Sequence, residues 1–116
     1  MKTATALWTV AETAAYLADA VKLYSEEERD GIVKMLATDP ECGDVVPRTG
    51  GVRKVRVGRD SRGKSGGARV IYYFHGSDRL PIYVLAIFGK NEKENLSDAD
   101  KNALRKFIAG IKESLR

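Results

Sequence analysis

The chain has 116 residues, 43% of them hydrophobic and 31% charged, with a formal net charge of +4. That length suits one domain, residues 1–116, around one compact core, and the composition excludes a disordered chain. The longest apolar-leaning run, around Leu80–Phe88, is too short to span a bilayer, and the N-terminus lacks the pattern of a signal peptide. Cys42 is alone and forms no internal disulfide, so a reducing cytoplasm is expected; with one Cys and one His, neither a zinc cluster nor any other cofactor is expected.

Residues 4–10 alternate small or polar with larger apolar side chains, which suits a short strand. Residues 11–24 place Ala14, Leu17, Ala18 and Val21 on one helical face. Ser25 with Glu28 has capping-box spacing, and Glu26, Glu27 and Glu28 put three acids in the first turn of the next helix. That helix carries Ile32, Val33, Met35 and Leu36 and stops near Asp39-Pro40, with Gly31 weakening it by up to ~1 kcal/mol relative to Ala.

Thr49-Gly50-Gly51 reads as a turn. Val52–Val57 then alternates, with Val55 and Val57 opposite Lys54 and Arg56. A basic, glycine-rich connection over 58–67 leads to a strand over 68–75. Gly76-Ser77-Asp78 turns the chain into another over 81–88, completing an antiparallel meander. After a polar loop over 89–96, Ser97 with Asp100 opens a last helix whose stripe is Leu104, Phe107, Ile108, Ile111 and Leu115. The expected fold is α+β: a small antiparallel sheet, made of a short N-terminal strand plus a three-stranded meander, packed with N-terminal helices and one C-terminal helix.

The charge is unevenly placed. Residues 48–69 hold eight Lys/Arg and a single acid, whereas residues 1–47 carry a net −5. A concentration of this kind is a footprint for a polyanion, with RNA or DNA first. Gly58 to Ser65 also matches the phosphate-loop pattern G-x-x-x-x-G-K-[ST]. That mechanism needs a helix directly after the lysine, and Arg69-Val-Ile-Tyr-Tyr-Phe reads as a strand, so the nucleotide-binding reading is rejected.

Lys54 and Arg56 point to one side of their strand, and an antiparallel pairing would bring Arg69 near them; Lys90, after the third strand, could reach the same surface. Such cations suit metal-independent RNA cleavage. The ribose 2′-OH is an internal nucleophile that DNA lacks, and Arg and Lys stabilise the charge that builds on phosphorus. A lysine among cations can also give up its proton and attempt the base's task. Of Tyr72 and Tyr73, on opposite strand faces, one belongs to the core and the other could stack on a base. His75 reads as a turn residue, Trp8 as core or covered by a partner, Cys42 as inert, and Glu92 with Glu94 as a solvated loop.

Four blocks occur in order: Asp39-Pro40-Glu-Cys-Gly43-Asp44, Thr49-Gly-Gly51-Val-Arg53-Lys54-Val-Arg56, Gly63-Lys64-Ser-Gly-Gly67-Ala-Arg69-Val-Ile-Tyr-Tyr73, and Gly89-Lys90-Asn91-Glu92. Over roughly residues 25–115 the chain resembles the RelE/HigB superfamily of type II toxin–antitoxin toxins, closest to its HigB branch. The resemblance implies a compact toxin with helices on one side of a small sheet. It also implies an endoribonuclease, an mRNA interferase that enters the ribosomal A site, cuts the message being translated and so inhibits translation. By position, Lys54, Arg56, Arg69 and Lys90 match the family's catalytic cations. Arg59, Arg62 and Lys64 are expected to grip ribosomal RNA phosphates and not to do chemistry, and Arg53 is expected to bind RNA. Where RelE has an arginine after the loop lysine this chain has Asn91, and around Leu96 and Ser97 it lacks RelE's catalytic tyrosine; Tyr73, Asn91 and Lys93 are the candidates to contact the RNA there.

The resemblance further implies a cognate antitoxin, HigA-like with a helix-turn-helix domain, alongside the ribosome and mRNA as partners. Two rivals stand beside this reading: a same-fold toxin acting on another target such as DNA gyrase, which would not need Lys54, Arg56 and Arg69 as a set, and a non-enzymatic RNA-binding protein using the same basic face.

Overall fold

The computed structural model describes residues 7–59, 63–77, 79–89 and 96–115; of residues 59 and 63–66 it describes the backbone. The elements are β1 (Val10–Glu12), α1 (Ala14–Leu23), α2 (Glu26–Thr38), β2 (Asp44–Val45), β3 (Val52–Arg59), β4 (Gly63–Tyr73), β5 (Ile82–Gly89) and α3 (Asp98–Ser114). No helix among the described residues is long and apolar enough to cross a membrane.

Each helix starts where a side-chain oxygen meets its orphan amides. Ser25–Glu28 and Ser97–Asp100 form the two expected capping boxes, on α2 and α3. Thr13 caps α1: its Oγ1 accepts from the Tyr16 amide and donates to the Val84 carbonyl at 2.8 Å, stitching the helix start to β5. At the far end of α1 the Arg29 guanidinium donates to the Tyr24 carbonyl at 2.8 Å.

The strands form one sheet in the order β1-β5-β4-β3-β2. β3, β4 and β5 are the antiparallel meander, with Val52 opposite Tyr73, Lys54 opposite Ile71 and Arg56 opposite Arg69. The sheet is mixed, because β1 runs parallel to β5, with Val10 opposite Ile82. The N-terminal strand begins later than expected, and residues 4–6 of that expectation lie outside the described residues. The basic segment read as a connection is largely strand: β3 continues to Arg59 through a register shift at Gly58, and β4 starts at Gly63. β5 stops opposite Ala68, so the β3–β4 arm extends beyond it.

Each face of the sheet has its own core. α1 and α2 bring Tyr16, Ala20, Tyr24, Ile32 and Leu36 onto Ala68, Val70, Tyr72, Ile82, Val84 and Ile87, with Val55 and Val57 at the margin. On the opposite face, Ile108 of α3 meets Val52, Ile71, Tyr73, Phe88 and Leu96. The helices are therefore not on one side, as the resemblance implied. The alternating strands have an apolar residue for either face at most positions, and each face needs cover. α1 also turns a different face inward from the one expected. Tyr16 and Ala20 are buried while Ala14 and Ala18 are exposed and Val21 is 55% exposed, because the large aromatic ring sets the buried stripe.

Tyr72 ties the loop before β2 to the sheet. Its hydroxyl donates to the Pro40 carbonyl at 2.7 Å and accepts from the Gly43 amide at 2.8 Å. The chain passes so close that a Cβ on Gly43 would lie 2.9 Å from both the Tyr72 hydroxyl and the Lys54 carbonyl. On the other side of β2, Thr49 is fully buried; its hydroxyl accepts from the Val52 amide and donates to the Val46 carbonyl, closing the turn that aligns β2 with β3. α3 is pinned over that turn by Arg48 to Asp98 at 3.5 Å, by Lys112 to the Gly50 carbonyl at 3.3 Å, and by Ile108 against Gly50.

Two tyrosine deletions should therefore differ in sign. Tyr72→Phe leaves a buried amide and a carbonyl without partners and should cost about 1–3 kcal/mol in urea unfolding. The Tyr16 hydroxyl has no partner among the described residues, so Tyr16→Phe should be neutral or stabilising. Burial, with Glu12 adding to it, pushes the Tyr16 hydroxyl up to about 12, and burial also raises Tyr72 and Tyr73. The folded state thus holds these protons where the unfolded chain loses them. Their contribution is complete below pH ~10 and is lost as the pH rises from there toward 12 and beyond. Melting temperatures should fall steeply over that window, less so in Tyr16→Phe.

Candidate nucleic-acid interface

The alternation of β3 decides which of its cations share a face. Lys54 and Arg56 lie on the α3 side of the sheet, two residues apart, while Arg53 lies on the α1–α2 side, opposite Tyr72. The same antiparallel register puts Arg69 directly across from Arg56. Arg56 is exposed, and Lys54 and Arg69 are half-buried. Val52, Ile71 and Tyr73, nearer the turn at residues 47–51, lie beneath the α3 core cluster; the cation row continues from there along the same strands.

Facing like charges on neighbouring strands repel, typically by a few tenths to ~1 kcal/mol, and an anion between them turns that repulsion into attraction. Arg69 carries a sharper signal. Its Nη1 is buried and has no hydrogen-bond partner among the described residues. A guanidinium nitrogen held out of water without an acceptor is an anion-binding donor in waiting. Among the described residues neither Arg56 nor Arg69 forms an ion pair. Lys54 differs, because its cross-strand neighbour on β2 is the carboxylate-bearing Asp44.

The remaining expected site residues divide clearly. Arg53 is structural: its Nη1 donates to the Gly43 carbonyl at 2.7 Å, its Nη2 lies 3.8 Å from Glu41, and its side chain is 20% exposed. It clamps the 41–43 loop and lies on the opposite face of the sheet from Lys54 and Arg56. Tyr73 is 3% exposed, with its hydroxyl 2.8 Å from His75 Nδ1, so its ring has no free face for a base. Tyr72 is likewise buried, which removes the expected stacking tyrosine from this strand. His75 takes the turn-side role expected of it through that same bond. Cys42 lies 3.7 Å from the Tyr72 hydroxyl.

Arg62, Lys90, Asn91 and Lys93 lie outside the described residues, as do the side chains of Arg59 and Lys64. The backbone at Lys64 is nevertheless strand, continuing unbroken to Tyr73, so the phosphate-loop reading lacks its helix, as expected. Among the described residues no group of His, Cys, Asp or Glu could hold a metal ion.

Two residues near the row escaped the sequence reading. Asp44 comes opposite Lys54 only through a two-residue strand, too short to carry a periodic signal. Lys101 sits at the start of α3 and lines one groove together with Lys54, a neighbourhood created by tertiary packing alone.

A family model described as the RelE toxin of the RelE / RelB toxin–antitoxin system matches residues 43–115. The match takes in β2 to β5 and α3, hence every cation of the row and the helix over the same face. The chain belongs to the RelE toxin family, the toxin side of a toxin–antitoxin pair.

Proposed function

We propose that the protein is a ribosome-dependent mRNA endoribonuclease of the HigB branch, acting in the cytoplasm on messages in the ribosomal A site. Cleavage proceeds by attack of the ribose 2′-OH on the adjacent phosphate, its proton passing to solvent, while the bond from phosphorus to the 5′-oxygen breaks, that oxygen leaves protonated and a 2′,3′-cyclic phosphate remains, without a metal in the catalytic step. Arg56 and Arg69 accept the negative charge that builds on the non-bridging oxygens, and Lys54 holds the phosphate from the neighbouring position. Lys90, directly after β5, is the fourth cation of this reading. Arg59, Arg62 and Lys64 hold RNA phosphates, and Asn91 and Lys93, which follow Lys90 in sequence, contact the RNA as well. The observation that carries the reading is the facing pair Arg56–Arg69, with a buried guanidinium nitrogen that has no acceptor among the described residues. Membership of the toxin family supports a partner antitoxin, which we take to be HigA-like with a helix-turn-helix domain.

Primer extension on a translated message after brief induction tests this directly. Wild type should give cuts within codons, suppressed by the neighbouring antitoxin gene. Arg56→Ala and Arg69→Ala should each reduce cutting by about a hundredfold or more, the scale of losing one charge-stabilising donor. Gyrase supercoiling should be unaffected. Full cutting by both variants, with circular dichroism reporting native folds, would contradict the proposal. Arg53→Ala should behave in the opposite way: a loss of roughly 1.5–3 kcal/mol in stability, for a hydrogen bond from a charged donor, with cutting per folded molecule retained.

A further inference from the structure

Beside the cation row lies a groove of about 350 Å³ between β2, the chain that follows it and the start of α3. Its apolar lining comes from Val45, Val46, Pro47 and Leu96, and its charged lining includes Lys54 and Lys101. We propose that this groove seats one nucleotide of single-stranded RNA, the one next to the phosphate faced by Arg56 and Arg69. The proposal rests on the nuclease reading above and adds a subsite to it.

Three observations fit that occupant. The volume is at the small end of ligand sites, suited to one nucleotide and not to a peptide segment. Val45 is 53% exposed although it is a large apolar residue on a strand, and the π-face of a base packs on apolar surface of this kind. Two lysines of the lining, Lys54 and Lys101, are complementary to an anion. Lys54 belongs both to the groove and to the row with Arg56, about 7 Å apart along the strand, close to the phosphate step of an extended single strand. Lys101 is in the first turn of α3, where the helix dipole disfavours a cation and an anion seated in the groove would offset that cost.

Asp44 also lines the groove, opposite Lys54 in register. Its carboxylate can only accept hydrogen bonds, and uracil offers it a single N3–H flanked by two carbonyl oxygens that repel it, so a base with an exocyclic amino group is favoured over uracil. The groove would therefore set part of the sequence preference at the cut.

The test uses the purified full-length chain and a fluorescent single-stranded oligonucleotide with 2′-deoxy sugars, which lacks the internal nucleophile and stays intact. Lys101→Glu places an acid where the helix dipole favours one, so the fold is retained. It should weaken binding about tenfold at low salt. Lys106→Glu, an equal charge change on an exposed α3 position outside the groove, should change it less than twofold. In a translating extract, Asp44→Ala should lose discrimination against uracil next to the cut. Equal binding losses for Lys101→Glu and Lys106→Glu, no wild-type binding, or an unchanged cut profile in Asp44→Ala would overturn the subsite. If wild type cuts and the groove variants match it in rate and preference, the groove proposal fails while the nuclease reading stands. If wild type cuts nothing yet Lys101→Glu selectively loses the oligonucleotide, the nuclease reading fails and the nucleotide seat stands.

Discussion

A one-residue slip of β3 against β4 would send Lys54 and Arg56 into the tyrosine-lined core and turn Val55 and Val57 out to solvent. Nearly everything else depends on that register. It places Arg56 across from Arg69, puts Arg53 on the opposite side, and gives each face of the sheet its own apolar set. The turn over residues 47–51 fixes it from one end, through the buried Thr49 hydroxyl and the left-handed backbone at Arg48, Gly50 and Gly51. Tyr72 supports it from within β4, by binding the Pro40 carbonyl and the Gly43 amide of the loop before β2. The buried polar side chains near the site therefore hold geometry, while the exposed and half-exposed ones carry charge.

This division makes sense of an otherwise awkward sheet. Two arginines facing each other on adjacent strands cost stability in the free protein, and burying one guanidinium nitrogen with no acceptor among the described residues adds to the cost. α3 lies over the neighbouring part of the same face and is pinned by Arg48, Lys112 and Ile108, so the row borders a wall and does not lie on open sheet. A polyanion could approach along the β3–β4 arm and meet the row beside that wall. Most of the acids before the sheet lie on the other side of this arrangement or have local roles, such as the three glutamates in the first turn of α2.

What could be read from the sequence follows from how local each signal is. Both capping boxes were legible to the residue, because a cap is a contact over three positions. The valine–cation alternation was legible, because strand period is a local property. The face turned inward by α1 was misread, since the alanine-rich repeat suggested one stripe while Tyr16, whose large ring fills the core, defined another. The placement of α3 on the opposite face could not be read, because amphipathicity gives a helix a buried side but not a partner. Arg53 and Tyr73 illustrate the same limit. Each is a residue type common at RNA interfaces, yet one bonds a loop carbonyl and the other lies under α3. Asp44 and Lys101 reach Lys54 only through tertiary packing.

The central claim is that Arg56 and Arg69 form one anion site because the sheet forces them together. A double-mutant cycle on unfolding free energy, with Arg56→Gln and Arg69→Gln singly and combined, measures their coupling in the absence of substrate. The account predicts a repulsive coupling of a few tenths to ~1 kcal/mol at low salt, fading as salt screens the pair, and turning attractive when a single-stranded oligonucleotide is bound. A coupling of zero, or an attractive one in the free protein, would contradict it.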